Sequence, residues 1–212
     1  MRKVRVFLNP KSGLTVSVSS VLKGMQEHWD VEGTDLSYQF SKTETDGRTK
    51  MRRAIAEGVD TVVVVGGDGM VNTMGSELLG TPVKLAVIPT GSGNGFARHF
   101  GIPLQTAEAC KALSRGKVIG IDVGLANERP FFVTCSMAWD ASLLRTYEKS
   151  PLRGVLPYFL AATVELFEYK PQPVVVDMDG DTLSFDKPMV FTAANLTQFG
   201  GAMNDNVFKL IM

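Results

Sequence analysis

Val62 to Asn72 reads VVVVGGDGMVN, and no other stretch limits the fold so tightly. Four consecutive valines have no polar face, so a strand made of them must be covered on both sides. That is the position of a central strand in a parallel sheet flanked by helices. The strand runs straight into two glycines, an aspartate and a third glycine. A turn almost without side chains lets backbone N–H groups approach an anion, and a following helix adds its positive end. Asp-Gly is also a common turn dipeptide, and for this loop alone a plain turn is the competing reading.

The residues around it repeat the same alternation. KVRVFL reads as a strand and leads into the loop NPKSG, after which Val18, Val21, Leu22, Met25 and Trp29 recur at helical spacing. DLSYQF is a second strand, and Met51 and Ile55 mark a helix that stops at Gly58. After the valine strand come a short helix, the strand KLAVI, the loop PTGSGNG and further helix through Leu113. Strand–helix alternation of this kind implies a parallel sheet with right-handed crossovers. The pattern changes near Lys117. KVIGIDVGL and FFVTCSM read as two strands joined at ANERP, and a long helix is predicted from Ala141 to Tyr169, interrupted near Pro151 and Pro157. PVVVDMDGDTLSFD carries Asp179-Gly180 between two extended runs, a hairpin signal, and MVFTAANLTQ adds another strand. The fold class expected is α/β: an N-terminal parallel sheet, then a largely antiparallel β half. The boundary falls between 115 and 120.

Bulk properties exclude several function classes. Twenty-two basic residues balance twenty-two acidic ones, so no overall charge draws the surface to nucleic acid. Cys110 and Cys135 follow neither a CxxC nor a metal-ligand spacing and read as core thiols in a reducing compartment; His28 and His99 stand alone. The N-terminus has charges without an apolar signal region. GVLPYFLAATV, 154–164, is the longest charge-free apolar stretch and falls short of the about 20 residues a bilayer requires. These observations point to a cytoplasmic protein without a transmembrane segment.

In a parallel sheet every strand-to-helix loop emerges at the carboxyl edge, where ligands bind. Asn9–Gly13, Gly66–Gly69 and Pro89–Gly95 all leave predicted parallel strands, so all three line one edge. Ser12, Ser92 and Asn94 add side-chain hydrogen-bonding groups there. Asp68 beside an anionic ligand is repulsive unless it holds a divalent cation or accepts a proton from an attacking hydroxyl. Both roles belong to phosphoryl transfer. Three such loops on one edge favour a phosphate site over three turns. The GxxxxGK[ST] spacing is absent, and so is GxGxxG after the first strand.

NPKSG, GGDGMVN and PTGSGNGFARHFGIP together resemble the three signatures of the diacylglycerol kinase catalytic domain family, which includes bacterial lipid kinases, sphingosine kinases and ceramide kinase. IDVG at 121–124 and CSMAWDASLLRTYEKSPLRGVLPY match its usual continuation, so the resemblance spans nearly the whole chain. It implies an ATP-binding α/β domain, here 1–116, and a β-rich lipid-binding domain, here 117–212, a mostly antiparallel β-sandwich expected to be incomplete in this chain, with ATP and Mg²⁺ as cofactors and a lipid at the membrane surface as substrate. Carried over residue by residue, it assigns Asn9, Ser12, Thr43, Gly66, Gly67, Gly69, Ser92 and Asn94 to the nucleotide. Asp68 becomes the metal-associated or proton-accepting carboxylate. Asp140 falls where sphingosine kinases hold the lipid head group, and Lys149 and Arg153 are placed to reach phosphate or else are solvated cations on a helix face. The acyl chain is expected near FFVTCSMAWD and the helix around Leu156–Phe167. A homodimer is left open.

Departures from the family pattern are specific. Met70 replaces the usual threonine, and Thr73 stands where an acid is common. After NLTQFGG the family continues to an Asp-Asp-Gly motif; here Asp205 is the nearest acid, and the chain is expected to omit part of the protein. The function implied is an ATP-dependent lipid kinase acting on diacylglycerol or a sphingoid base. Two alternatives stay open: a nucleotide-binding regulator without activity, and a soluble-substrate kinase, since NAD kinases and phosphofructokinases also carry GGDG. PTGSGNGFAR argues against the second.

Overall fold

The structure is a computed structural model that describes residues 1–9, 18–138, 169–178, 180–196, 198–199 and 202–203. Strands β1 (Arg2–Leu8), β2 (Thr34–Phe40), β3 (Thr61–Gly66) and β4 (Lys84–Pro89) form one parallel sheet in the order β2-β1-β3-β4. Helices α1 (Val18–Trp29), α2 (Glu44–Ala56), α3 (Asp68–Ser76), α4 (Gly95–His99) and α5 (Thr106–Ser114) follow the expected alternation.

The valine run behaves as its composition requires. All six residues of β3 are buried, and their side chains alternate between the two faces. Val62 and Val64 pack with Phe7, Met51 and Ala54 of α2, and Val71 and Met74 of α3. Val63 and Val65 pack on the other face with Val21, Met25 and Trp29 of α1 and Ala109 and Cys110 of α5. Each buried valine contributes about 1.5–3 kcal/mol, so the sheet is anchored from both sides. Between α1 and α5 the helices touch at Gly24, where a Cβ would lie 2.8 Å from Cys110 Sγ. Trp29 Nε1 donates to the Cys110 carbonyl at 2.9 Å. Helix α2 ends at Ala56, and Gly58 takes the left-handed conformation (φ 71°) that stops it.

The described residues form two compact units, one of Met1–Val133 with the stretch that begins at Asn195, the other of Thr134–Ala194. KVIGIDVGL predicts a strand from Lys117, but pairing begins only at β5 (Gly124–Ala126), hairpinned to β6 (Arg129–Phe131). Val118 and Ile119 are exposed, with no ladder to hold them among the described residues. The β5–β6 turn places Asn127 (φ 47°) and Glu128 (φ 64°) both in the left-handed region, as a type I′ hairpin demands. FFVTCSM is not one strand. It breaks at Phe132, whose ring is buried in the first unit's core, and resumes as β7 (Thr134–Ala138).

In the second unit β7 pairs antiparallel with β10 (Val190–Ala194), and the hydroxyls of Ser136 and Thr192 meet across that ladder at 3.0 Å. The expected hairpin is present as β8 (Val174–Met178) and β9 (Asp181–Phe185), with Gly180 at φ 92°. The helix predicted over Ala141–Tyr169 lies outside the described residues up to 168; Tyr169 itself is described and carries no regular structure. Among the described residues no helix is long and apolar enough to cross a membrane.

Candidate functional site

Strand order reverses between β1 and β3. From β1 the chain passes through α1 on one face to β2; from β3 it passes through α3 on the other face to β4. Such a reversal opens a crevice beyond the carboxyl ends of the two central strands, the place where open α/β sheets bind ligands. Asn9, directly after β1, and Gly66–Gly69, closing β3 and opening α3, flank it, and Pro89–Gly95 stands beside them after β4. Ser12 lies outside the described residues.

Two of these loops are joined. Gly66 pairs with Pro89 at the end of the ladder, and Thr90 N–H donates to the Gly66 carbonyl at 3.1 Å. One residue on, the backbones touch: a Cβ on Gly91 would stand 2.6 Å from Gly67 Cα, and one on Gly67 would stand 3.0 Å from Gly91 Cα. Gly66 makes room for the Met70 side chain, 2.7 Å from where its Cβ would be, while Gly69 faces open space. The three glycines therefore differ in what they admit. Gly66 admits Met70, Gly67 admits the neighbouring loop, and Gly69 is the open one of the three.

Asp68 ties the loops again. Its Oδ2 accepts from Gly95 N–H at 2.8 Å and its Oδ1 from Phe96 N–H at 2.9 Å. A carboxylate accepting backbone N–H at a helix start is a charge-assisted bond, about twice as strong as a neutral one. Asn94 is left-handed (φ 53°), which asparagine tolerates better than most residues. Its buried carboxamide bridges Gly91 from both ends: Oδ1 accepts from Gly91 N–H at 2.9 Å and Nδ2 donates to the Gly91 carbonyl at 2.7 Å. Arg98 Nε donates to the Gly93 carbonyl at 2.9 Å, and Ser92 is left exposed between them.

Thr43 sits beyond β2 as the N-cap of α2, accepting from Asp46 N–H at 3.1 Å, while Asp46 Oδ2 accepts from Lys42 N–H and Lys50 Nζ, both at 2.8 Å. Threonine followed three residues later by an acid is a helix-start pattern. Asp140, Lys149 and Arg153 lie outside the described residues.

Some structural residues carried no sequence assignment. Asn72, one turn after Asp68 on α3, accepts from Phe132 N–H at 3.2 Å. Gly75, on the next turn, leaves room for the Phe132 ring, 2.6 Å from where its Cβ would be. Asn195 donates from Nδ2 to the carbonyls of Asp122 (2.9 Å) and Phe132 (3.2 Å). A small residue inside a helix was the one legible signal among these.

Among the described residues no three His, Cys, Asp or Glu side chains come together. Magnesium does not require such a cage, because it keeps several waters and is held by one or two carboxylates together with phosphates. Each Asp68 oxygen accepts one N–H and so keeps acceptor capacity, which suits a cation shared with phosphate.

Fold and loops thus define a doubly wound α/β protein whose switch point presents backbone donors, a hydroxyl and one carboxylate. The sequence profile of the diacylglycerol kinase catalytic domain matches residues 3–126, more than half of the chain. The chain belongs to that family. It is 28% identical to a diacylglycerol kinase of Mycobacterium tuberculosis over 95% of this chain and 67% of that one. A Yersinia enterocolitica protein described as a "probable lipid kinase YegS-like" is 26% identical, over 97% of this chain and 73% of its own length. A solved diacylglycerol kinase of Bacillus anthracis superposes with a TM-score of 0.71 at 26% identity, covering 95% of this chain and 67% of that one.

Proposed function

We propose that the protein is an ATP-dependent lipid kinase that transfers the γ-phosphate to a hydroxyl of a lipid, either diacylglycerol or a sphingoid base. The observation that carries the reading is the family's GGDG loop at the strand-order reversal, joined by Asp68 to the loop that follows β4. The names of the relatives favour diacylglycerol as acceptor.

In this reading residues 1–116 bind ATP and 117–212 bind the lipid. Asn9, Ser12, Thr43, Ser92 and the open backbone at Gly69 contact the nucleotide, with Gly66, Gly67 and Asn94 shaping the loops around it. Asp68 would hold Mg²⁺, which when bound neutralises charge on the phosphates. Alternatively Asp68 accepts the proton of the lipid hydroxyl as its oxygen bonds to the γ-phosphorus and the bond to the β-phosphate oxygen breaks. Asp140 is assigned to the head group, with Lys149 and Arg153 toward phosphate.

The test is transfer of label from γ-labelled ATP, with Mg²⁺, to diacylglycerol and to sphingosine in mixed micelles, using the natural full-length protein. Labelled lipid from one of the two is the expected result. ATP binding with no labelled lipid from a wider lipid panel would replace the kinase by a regulator.

A further inference from the structure

We infer that Asp68 is a positioning residue for the loop that follows β4: it holds the backbone of Gly95 and Phe96 and so fixes Pro89–Gly95 for the nucleotide. This role is separate from any contact with metal or substrate, and its purpose rests on the nucleotide reading above.

The first N–H groups of a helix have no partner within it. At α4 two of them, on Gly95 and Phe96, go one to each oxygen of Asp68, a residue 27 and 28 positions earlier in the chain. The rest of the loop leaves little freedom to do otherwise. Gly67 and Gly91 are in backbone contact, Asn94 is left-handed, and its carboxamide closes on Gly91. Asp68 is thus the one side chain of the GGDG loop that reaches the start of α4. At Gly69, at the start of α3, a Cβ would meet nothing within 4 Å, so the space beside that backbone is open.

An asparagine cannot reproduce this. It has one acceptor oxygen and sets an NH₂ group against the second backbone N–H. The two roles also differ in sign for metal-free nucleotide. If Asp68 only repels phosphate or holds a cation, Asp68→Asn strengthens ATP binding in EDTA. If it positions the loop, the same change weakens it.

The experiment compares wild type and Asp68→Asn by amide hydrogen exchange and by ATP titration with Mg²⁺ and with EDTA. The amides of Gly95 and Phe96 should exchange about tenfold faster or more, the loss of a charge-assisted bond, while Val62–Val65 of β3 stay protected as the internal control. Unchanged protection at Gly95 and Phe96 overturns the inference. ATP affinity in EDTA should fall about tenfold; a rise overturns the positioning role. If wild type binds ATP under neither condition the nucleotide reading fails, and the exchange result still decides whether Asp68 holds the loop. Should Asp68→Asn lose β3 protection as well, Asp68→Glu keeps the charge and moves the carboxylate by one methylene. Faster exchange at Gly95 and Phe96 in that variant supports the inference, and wild-type protection there overturns it.

Discussion

In β3 every residue from Thr61 to Gly66 is buried, whereas in the β8–β9 hairpin Val175, Met178 and Leu183 are exposed, Val175 to 63%. Both elements are rich in β-branched and apolar residues, and both were expected as strands. The difference lies in what covers them. Two helices on each face lock β3 between β1 and β4, while among the described residues β8 pairs only with β9. A phosphate site needs donors that do not move, and it is the doubly covered strand whose end carries the glycine loop. The hairpin, with exposed apolar residues on both faces, is held by a weaker constraint.

The largest expected contrast uses two methionines. Met51, fully buried against β3, should cost about 2–5 kcal/mol when changed to alanine. Met178→Ala, in the hairpin, should stay within about 0.5 kcal/mol. Urea unfolding of the two variants measures both, and similar losses would break the comparison.

A smaller contrast lies within the loops. Gly91→Ala places a Cβ 2.6 Å from Gly67 Cα and should destabilise by about 1–3 kcal/mol while weakening ATP binding. Gly67→Val should act in the same way, through the loop contact. Gly69→Ala meets nothing within 4 Å and should leave stability within about 0.5 kcal/mol. Equal melting temperatures for Gly91→Ala and Gly69→Ala would mean that the two loops are not in contact.

The smallest effect is electrostatic. Arg52 and then Arg48 hold the Glu77 carboxyl below its ordinary range through hydrogen bonds from α2. A lowered folded value stabilises above the unfolded carboxylate pKa of 4.5 and is lost as pH falls through the folded one. Wild type should therefore lose more stability than Glu77→Gln as pH drops below 4.5, by about 1 kcal/mol once solvent screening is allowed for. Parallel pH profiles for the two proteins would remove this contribution.

Much of the fold was legible because one period governs it. Alternation along Val62–Val65 and the spacing of Val21, Met25 and Trp29 place the sheet, its faces and the edge that carries the loops. The strand predicted from Lys117 was misread because an apolar run signals a strand only where another strand pairs with it, and Val118 and Ile119 have none described. Within the site, the motifs locate Asp68 and Asn94 but not their partners. Asp68 meets Gly95 and Phe96 through bonds spanning 27 and 28 residues, which no local pattern encodes. Thr43, assigned to the nucleotide by the resemblance, is the N-cap of α2 in the structure, with Asp46 three residues on. Ser12, Asp140, Lys149 and Arg153 lie outside the described residues, so their assignments rest on the family resemblance.

The central claim is that nucleotide binds at the carboxyl edge of the parallel sheet, on the loops after β3 and β4. Titration of ¹⁵N-labelled protein with ATP and Mg²⁺ tests it directly. The amides of 66–69 and 91–95 should shift in a saturable way while those of Val174–Phe185 stay in place. Saturable shifts confined to the β8–β9 hairpin, with the glycine loops unmoved, would contradict it.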